Sequence, residues 1–373
     1  MSTMKILIIL HKAKKKGGMV LQFLKMTDEF KKKGHKVHIF SFDSISNYQN
    51  PIKNYYYIYR SLKDYIHKLD PTLIFTSDPF ITSLLAIFAN KNRYPIVLRV
   101  GAVFHLFYSG RILEKINSEM INVTLLLFFG SLLKSLIKII FKKIDLIIFN
   151  SNFLKELYKN EAKNSIVIYN GVELQERDDL SVNFPIKLIY IGRIEPRKSI
   201  ELIIKSLRIM KSKGLNFTFS LVGKLSMYPK YWEKICNLVE LHGLWDNLVV
   251  HDEIANYKLP GLLKEHDILL FSTDDRNFPI TEGLPNVILE GMANGLAIIA
   301  THVAGVPEII KEKNGFVVKP DPQIFAEKIE MLYNNKDLLL KIKENNIAAI
   351  KENFQIEKTS DNYLRVFHAL TNK

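Results

Sequence analysis

Cysteine is nearly missing from this chain of 373 residues, which contains a single one, Cys236. One cysteine closes no intrachain disulfide and builds no cysteine-rich zinc site, so a disulfide-stapled scaffold and a zinc ribbon are both excluded. A reducing compartment is the natural setting, and we expect a cytoplasmic protein. Residues 1–10 also lack the small-residue cleavage pattern of a signal peptide, so no secretory leader is expected.

Long uncharged hydrophobic runs are equally scarce. The longest, residues 121–133, ends at Lys134 and falls short of the roughly 18 residues that a bilayer requires. Acidic residues are also few, because 52 Lys and Arg face 38 Asp and Glu, for a net charge of +14. Residues 1–180 carry an excess of +12 of this charge. Such a surplus attracts polyanions, and nucleic acid, anionic lipid headgroups and phosphorylated substrates all fit it.

Apolar residues, by contrast, make up 47% of the chain, and the length suits two domains with separate cores. Short β-branched runs alternate with segments of helical period, which is the pattern of parallel sheets covered by helices. Strands are predicted at residues 5–10, 36–41, 72–77, 96–100, 145–149, 166–169, 187–191, 217–222, 248–250, 267–271 and 297–300. The predicted fold is therefore α/β, with two doubly wound domains. We place them at residues 1–176 and 186–355, with a polar linker at 177–185 and a last helix within 356–373.

The segment that follows residue 281 carries two carboxylates, Glu282 and Glu290, on either side of a helix start. Pro285 suits the first helical turn and Gly295 the stop. A continuous helix would separate the two carboxylates by about 12 Å, and a break at Gly283 brings Glu282 towards the helix entrance. The pair could bind hydroxyls at two ends of one elongated ligand. The simpler alternative is one surface glutamate and one buried, paired glutamate.

A second segment, residues 189–199, joins a predicted strand to a predicted helix through a basic loop. The loop contains Arg193, Arg197 and Lys198, and Ser199 is a candidate N-cap. Free N–H groups and the positive dipole end of the helix would then face these cations, which predicts a diphosphate site. The alternative to a diphosphate site is that these cations are exposed on a solvated loop and bind no ligand.

A third segment, residues 11–18, connects the first strand to its helix and ends in Gly17 and Gly18. Paired glycines allow a ligand to approach the backbone closely. No G-x-G-x-x-G motif is present, so a dinucleotide fingerprint is not supported, and a plain turn explains the glycines as well.

Together the three segments resemble the family-4 glycosyltransferases, which are retaining enzymes of the GT-B fold, with two Rossmann-like domains that face a central cleft. The resemblance implies that Gly17 and Gly18 close over donor and acceptor, that Arg193 and Lys198 hold the donor diphosphate, that Glu282 contacts the transferred sugar and that Glu290 binds the ribose. The implied donor-binding set is Gly17, Gly18, Arg193, Lys198, Glu282, Gly283, Leu284, Pro285, Asn286 and Glu290. Similar enzymes also return their last helix to the N-terminal domain.

The resemblance also implies a catalytic role for His105, so the implied catalytic set is Glu282, Arg193, Lys198 and His105. Many family members carry a histidine after a central strand of the first domain, and His105 follows the strand at residues 96–100. It stands beside Phe104, Leu106 and Phe107, so a satisfied core histidine is the alternative.

These residues predict a glycosyltransferase that moves a hexose-type sugar from a nucleotide donor, with UDP favoured, to a glycan or lipid-linked acceptor in the synthesis of a surface polysaccharide or glycoconjugate. No cofactor beyond the donor is expected. The absence of any Asp-x-Asp sequence argues against a metal-chelating mechanism. Residues 121–141 mix apolar side chains with lysines at helical spacing, which suits either a core helix or the inner, anionic face of a membrane.

Two other functions remain open. A nucleotide-sugar epimerase of the same architecture also needs an anion site and carboxylates, but would release an epimer without an acceptor. The net positive charge also fits a non-enzymatic protein that binds membrane surfaces or nucleic acid. No nucleic-acid module is recognisable, so nucleic acid is not an expected partner.

Overall fold

The computed structural model describes residues 2–11, 18–44, 51–104, 123–175, 180–274 and 282–372. Its contacts divide the chain into two compact units. Unit 1 consists of Met1–Gly171, Thr281–Leu284 and Ile356–Lys373, and unit 2 of Val172–Ile280 and Pro285–Gln355.

Unit 1 is built on a parallel sheet whose strands are nearly all apolar on both faces. Its described strands are β1 (Lys5–Leu10), β2 (Lys36–Ser41), β3 (Leu73–Thr76), β4 (Ile96–Val100), β5 (Leu146–Phe149) and β6 (Ser165–Val167). Its described helices are α1 (Gly18–Lys32), α2 (Pro51–Leu69), α3 (Ile81–Asn90), α4 (Val123–Phe141), α5 (Asn152–Leu157) and, from the end of the chain, α13 (Ile356–Thr371). The strand order is β2-β1-β3-β4-β5-β6. Because parallel crossovers are right-handed, α1 covers one face of this sheet, and α2 to α5 cover the other.

Helix α13 completes the core of unit 1 on the α1 side. Phe367 packs with its ring centroid 5.8 Å from that of Phe30 in α1 and 5.3 Å from that of Phe75 in β3. Tyr363, one turn earlier, is also fully buried in this cluster. Burial of such aromatic side chains contributes roughly 1.5–3 kcal/mol each, so α13 is an integral part of the unit's core.

Unit 2 repeats the architecture with a second parallel sheet. Its described strands are β7 (Ile186–Ile191), β8 (Phe217–Val222), β9 (Leu248–His251), β10 (Ile268–Phe271), β11 (Ala297–Thr301) and β12 (Gly315–Val318). Its described helices are α6 (Ile200–Ser212), α7 (Pro229–Leu241), α8 (Leu259–Lys264), α9 (Asn286–Ala293), α10 (Val306–Ile309), α11 (Pro322–Asn334) and α12 (Lys336–Ala349). The order β12-β11-β10-β7-β8-β9 puts β7 beside β10 at the point where the winding direction reverses.

The predicted α/β fold with two doubly wound sheets is confirmed. The predicted strands all form, four of them over the predicted residues, although β12 has no counterpart among the predictions. Residues 315–318 form a short edge strand of one glycine and three apolar residues, and so short a run does not distinguish a strand from a loop by its pattern.

Candidate functional site

The basic loop of unit 2 lies at the switch point of its sheet. It follows β7, while Ser272 and Thr273 follow the neighbouring strand β10. Ligands of doubly wound sheets bind outside the carboxyl ends of the strands at this position, because the flanking loops diverge there. Gly223, at the end of β8, lets the neighbouring backbone come close, since a Cβ atom there would lie 2.0 Å from the carbonyl oxygen of Gly192.

Three cations and one carboxylate share this loop. The Glu195 carboxylate lies 3.1 Å from Nη1 of Arg193 and 2.8 Å from Nη2 of Arg197. Arg193 is half-exposed, whereas Arg197 and Glu195 are largely buried. Sequence reasoning identified the cations but assigned no role to Glu195; its position two residues from each arginine was the available signal.

Lys198 occupies the most buried position of the three cations. The residue is 5% exposed, and Nζ lies 4.9 Å from the centroid of the Phe271 ring, at the end of β10. The hydroxyl of Ser272 donates a hydrogen bond of 2.5 Å to the Lys198 carbonyl, which fixes the loop to β10. The ammonium charge is thus held away from bulk water. In this less polar environment it acts more strongly on a nearby anion.

Ser199 holds the predicted N-cap position of α6 but does not cap the helix with its side chain. Ser199 does precede α6, but it adopts a left-handed backbone with φ of 44°, and its side chain makes no capping hydrogen bond. The phenol of Tyr231 in α7 takes this place: its oxygen accepts the backbone N–H of Ile200 at 2.9 Å and donates to the Glu201 carboxylate. The N–H of Ile200 is therefore not a free donor for a ligand at the loop.

Burial shifts the pKa of the phenol that caps α6. Desolvation and the adjacent Glu201 carboxylate raise the pKa of Tyr231 well above its ordinary value. Lys234 completes the group with an ion pair of 2.9 Å to Glu201. A tyrosine hydroxyl is protonated at neutral pH in any case, and the raised pKa of Tyr231 extends its protonation further into the alkaline range.

Glu290 lies in the second turn of α9. The helix begins at Asn286, one residue later than predicted, with Pro285 in the N-cap position. The carbonyl of Glu290 accepts hydrogen bonds from the backbone and side-chain amides of Asn294, which ends the helix. Glu290 as a whole is partly exposed.

Glu282 belongs by its contacts to unit 1, although sequence reasoning placed it in the second domain. Its backbone pairs with Ala102 in an antiparallel bridge just after β4. Gly283 then packs so closely that a Cβ atom would lie 2.4 Å from Oδ1 of Asn150 and 2.4 Å from Cδ1 of Leu154. The two carboxylates of the predicted pair therefore lie in different units.

The remaining predicted residues have different outcomes. Gly18 is exposed and begins α1, and Leu284 is buried in unit 1. Gly17 and His105 lie outside the described residues, so their predicted roles stay predictions.

Comparisons with known proteins identify this architecture. Residues 173–349 match the family model of glycosyl transferases group 1, and residues 16–176 match that of glycosyltransferase family 4. An uncharacterized glycosyltransferase of Methanocaldococcus jannaschii is 27% identical, with 92% of this chain and 87% of the relative covered. The capsular polysaccharide biosynthesis glycosyltransferase CapM of Staphylococcus aureus is 28% identical over 49% of this chain and 46% of its own.

A solved structure has the same fold. HepE from Anabaena, crystallised in complex with UDP and glucose, superposes with a TM-score of 0.74 at 17% identity and covers 98% of this chain and 99% of its own. The two sheets and these matches define a sugar-transferring enzyme of the GT-B fold, which confirms the predicted fold class. The chain belongs to the family-4, group 1 glycosyltransferases, as the resemblance implied.

Proposed function

We propose that this glycosyltransferase moves a hexose from a UDP-sugar to a glycan or lipid-linked acceptor, with retention of anomeric configuration and without a metal. The observation that carries the proposal is the cluster of Arg193, Arg197 and Lys198 at the switch point of unit 2. The complex of HepE with UDP and glucose supports the choice of donor, and CapM supports a role in polysaccharide synthesis.

The cations would act on the leaving group. As the bond from the anomeric carbon to the diphosphate stretches, negative charge grows on the departing oxygen, and preorganised cations lower the barrier by stabilising it. Arg193 offers an exposed guanidinium edge, and Lys198 a desolvated point charge. With this charge in place, no divalent ion is needed to neutralise the diphosphate.

The carboxylates would orient the donor. Glu282 would bind hydroxyls of the transferred sugar from a loop that its backbone pairing with Ala102 holds in place, and Glu290 would bind the ribose. The acceptor hydroxyl would attack on the face that the diphosphate vacates and pass its proton to the departing phosphate oxygen. The new glycosidic bond forms as the bond to phosphate breaks, and the configuration is retained.

The direct test combines donor binding with product analysis. UDP-glucose, GDP-mannose and ADP-glucose are compared for their ability to raise the melting temperature, since a ligand of the native state stabilises it by mass action. The stabilising donor is then incubated with candidate acceptors, with and without EDTA, and the product is analysed by NMR. We expect a UDP-sugar to stabilise, transfer that EDTA does not change, and a retained anomer. An inverted product, a loss of activity in EDTA, or an epimer released from donor alone would each contradict the proposal.

A second part of the proposal concerns where the enzyme works. No described helix is long and apolar enough to cross a bilayer. Helix α4 nevertheless exposes Leu132, Leu136 and Ile139, which are 55%, 44% and 62% exposed and follow one another at steps of four and three residues. These side chains therefore form one stripe along the helix.

Lysines lie close to this stripe. Lys138 is exposed in the carboxyl half of α4, and Lys142 and Lys143 are exposed just after its end. Lys134 instead turns to Glu161, with 3.7 Å between Nζ and Oε1. Helix α3, on the same face of the sheet, exposes Phe88 to 63%. Apolar side chains beside basic ones suit the interface of an anionic bilayer, so we propose peripheral binding at the inner membrane surface.

Flotation with vesicles tests this surface. We expect the chain to float with vesicles that contain phosphatidylglycerol and to stay behind with pure phosphatidylcholine. A variant with Leu132, Leu136 and Ile139 all changed to serine should lose flotation and keep its melting temperature, because these side chains are exposed. Leu241→Ser, at a residue of unit 2 that is 76% exposed, is the matched control and should still float. Failure of the wild-type chain to bind either vesicle would rule out the membrane proposal.

A further inference from the structure

Glu195 is the one carboxylate within the basic loop, and its side chain is only 5% exposed. Each of its oxygens takes one arginine. Oε2 lies 3.1 Å from Nη1 of Arg193, while Oε1 accepts from Nη2 of Arg197 at 2.8 Å and from Nε of the same residue at 3.3 Å. A buried carboxylate costs several kcal/mol unless it is paired, and here two guanidinium groups pair with it.

The two arginines are held differently. Arg197 is 13% exposed and grips one oxygen through two nitrogens, so its position is fixed. Arg193 is 48% exposed and contacts Glu195 through one nitrogen. Most of the five N–H donors of Arg193 therefore point away from Glu195. The single contact with Glu195 sets the direction in which these guanidinium donors point.

The charges of the loop also add up in a specific way. Arg193, Arg197 and Lys198 contribute three positive charges, and Glu195 removes one, which leaves a net +2. Had Arg197 been neutral, Glu195 would cancel most of the charge of Arg193. Arg197 thus allows a carboxylate to orient Arg193 while the loop keeps a charge opposite to that of a nucleotide-sugar diphosphate.

We infer that Glu195 is a positioning residue for donor binding: it orients Arg193 towards the donor diphosphate and is itself balanced by Arg197. This inference rests on the proposed function, since it assumes a diphosphate donor. Glu195 touches no reacting atom; it acts through Arg193. Charge-assisted contacts of this kind fix both distance and direction, and a displaced cation costs about 10- to 100-fold in rate.

A double-mutant cycle on the full chain tests the inference, with the Kd for UDP and the kcat/KM for the donor as measurements. Glu195→Gln keeps the size of the side chain but places an amide N–H group against one of the arginines. We expect it to lower kcat/KM and to weaken UDP binding by about 10-fold or more. In the Arg193→Ala background the same change should have less than about 2-fold further effect, because the residue through which it acts is gone.

The controls separate positioning from stability and from the wider proposal. Glu330→Gln removes a surface carboxylate of unit 2 that pairs with Lys213, and it should leave both measurements unchanged. Equal losses from Glu195→Gln in the two backgrounds would overturn the inference, as would a Glu195→Gln enzyme within 2-fold of wild type. A wild-type chain that binds no nucleotide and transfers no sugar would instead overturn the proposed function, and the inference with it.

Discussion

Replacing Arg193 with alanine lowers kcat/KM for the nucleotide sugar by about 10²-fold or more, because a preorganised cation that stabilises a departing anion contributes on that scale. Lys198→Met has an effect of the same order, because it removes the ammonium group and keeps an unbranched side chain of similar length. The measurement is steady-state kinetics with the donor varied, accompanied by thermal unfolding to confirm that each variant is folded.

Matched controls come from helix α6, which follows the loop directly. Arg208 and Lys205 are exposed there, so Arg208→Ala and Lys205→Met remove the same charges at the surface. We expect them to stay within about 2-fold of wild type, since the charges of exposed side chains are screened by salt. If Arg193→Ala and Lys198→Met behaved like these two, the assignment of the basic loop to the diphosphate would be wrong.

The second large effect concerns stability. Lys343 in α12 and Asp267 at the start of β10 form an ion pair of 2.9 Å, and both side chains are fully buried. Nζ of Lys343 also donates to the carbonyl of Ser181, and the carboxylate accepts the backbone N–H groups of Asn183 and Lys187. Lys343→Met leaves this carboxylate buried without its cation, so we expect the free energy of unfolding to fall by about 3–5 kcal/mol.

Urea unfolding of the full chain measures this loss, and hydrogen exchange of the α12 amides shows where it occurs. Lys213→Met is the matched control, because Lys213 pairs with Glu330 at the surface of the same unit, where an ion pair contributes about 0–1 kcal/mol. Adding Asp267→Asn to Lys343→Met should recover part of the stability, since the buried charge is then removed. Equal losses from Lys343→Met and Lys213→Met would mean that the buried pair has no special role.

The predicted site shows where local sequence suffices and where it does not. The basic loop could be found from the sequence, because it stands between a strand and a helix and the carboxyl ends of parallel strands are where such sheets bind ligands. The cap of α6 could not. Ser199 has the right residue type, yet Tyr231 binds the N–H of Ile200 from a position 31 residues further along the chain. No pattern within the helix encodes such a partner.

Two other features show the same limit. Glu282 follows β10 in the chain and so seemed part of the second domain, but its backbone pairs with Ala102, 180 residues earlier. The ion pair of Lys343 and Asp267 joins residues 76 positions apart, and an isolated lysine in a helix predicts only an exposed side chain. Pairings of this kind depend on the packed structure, since the residues next to Lys343 and Asp267 in the chain do not identify their partners.

The sequence by itself determined the α/β class, the alternation of strands and helices and the place of the basic loop, because strands covered on both sides must be apolar throughout and helices must repeat every 3.6 residues. Only the tertiary structure decided that the Glu195 carboxylate pairs with both neighbouring arginines, that Tyr231 caps α6 and that Glu282 belongs with unit 1. These contacts depend on how side chains are oriented and buried in the folded chain, and the periodicity of a local segment predicts neither.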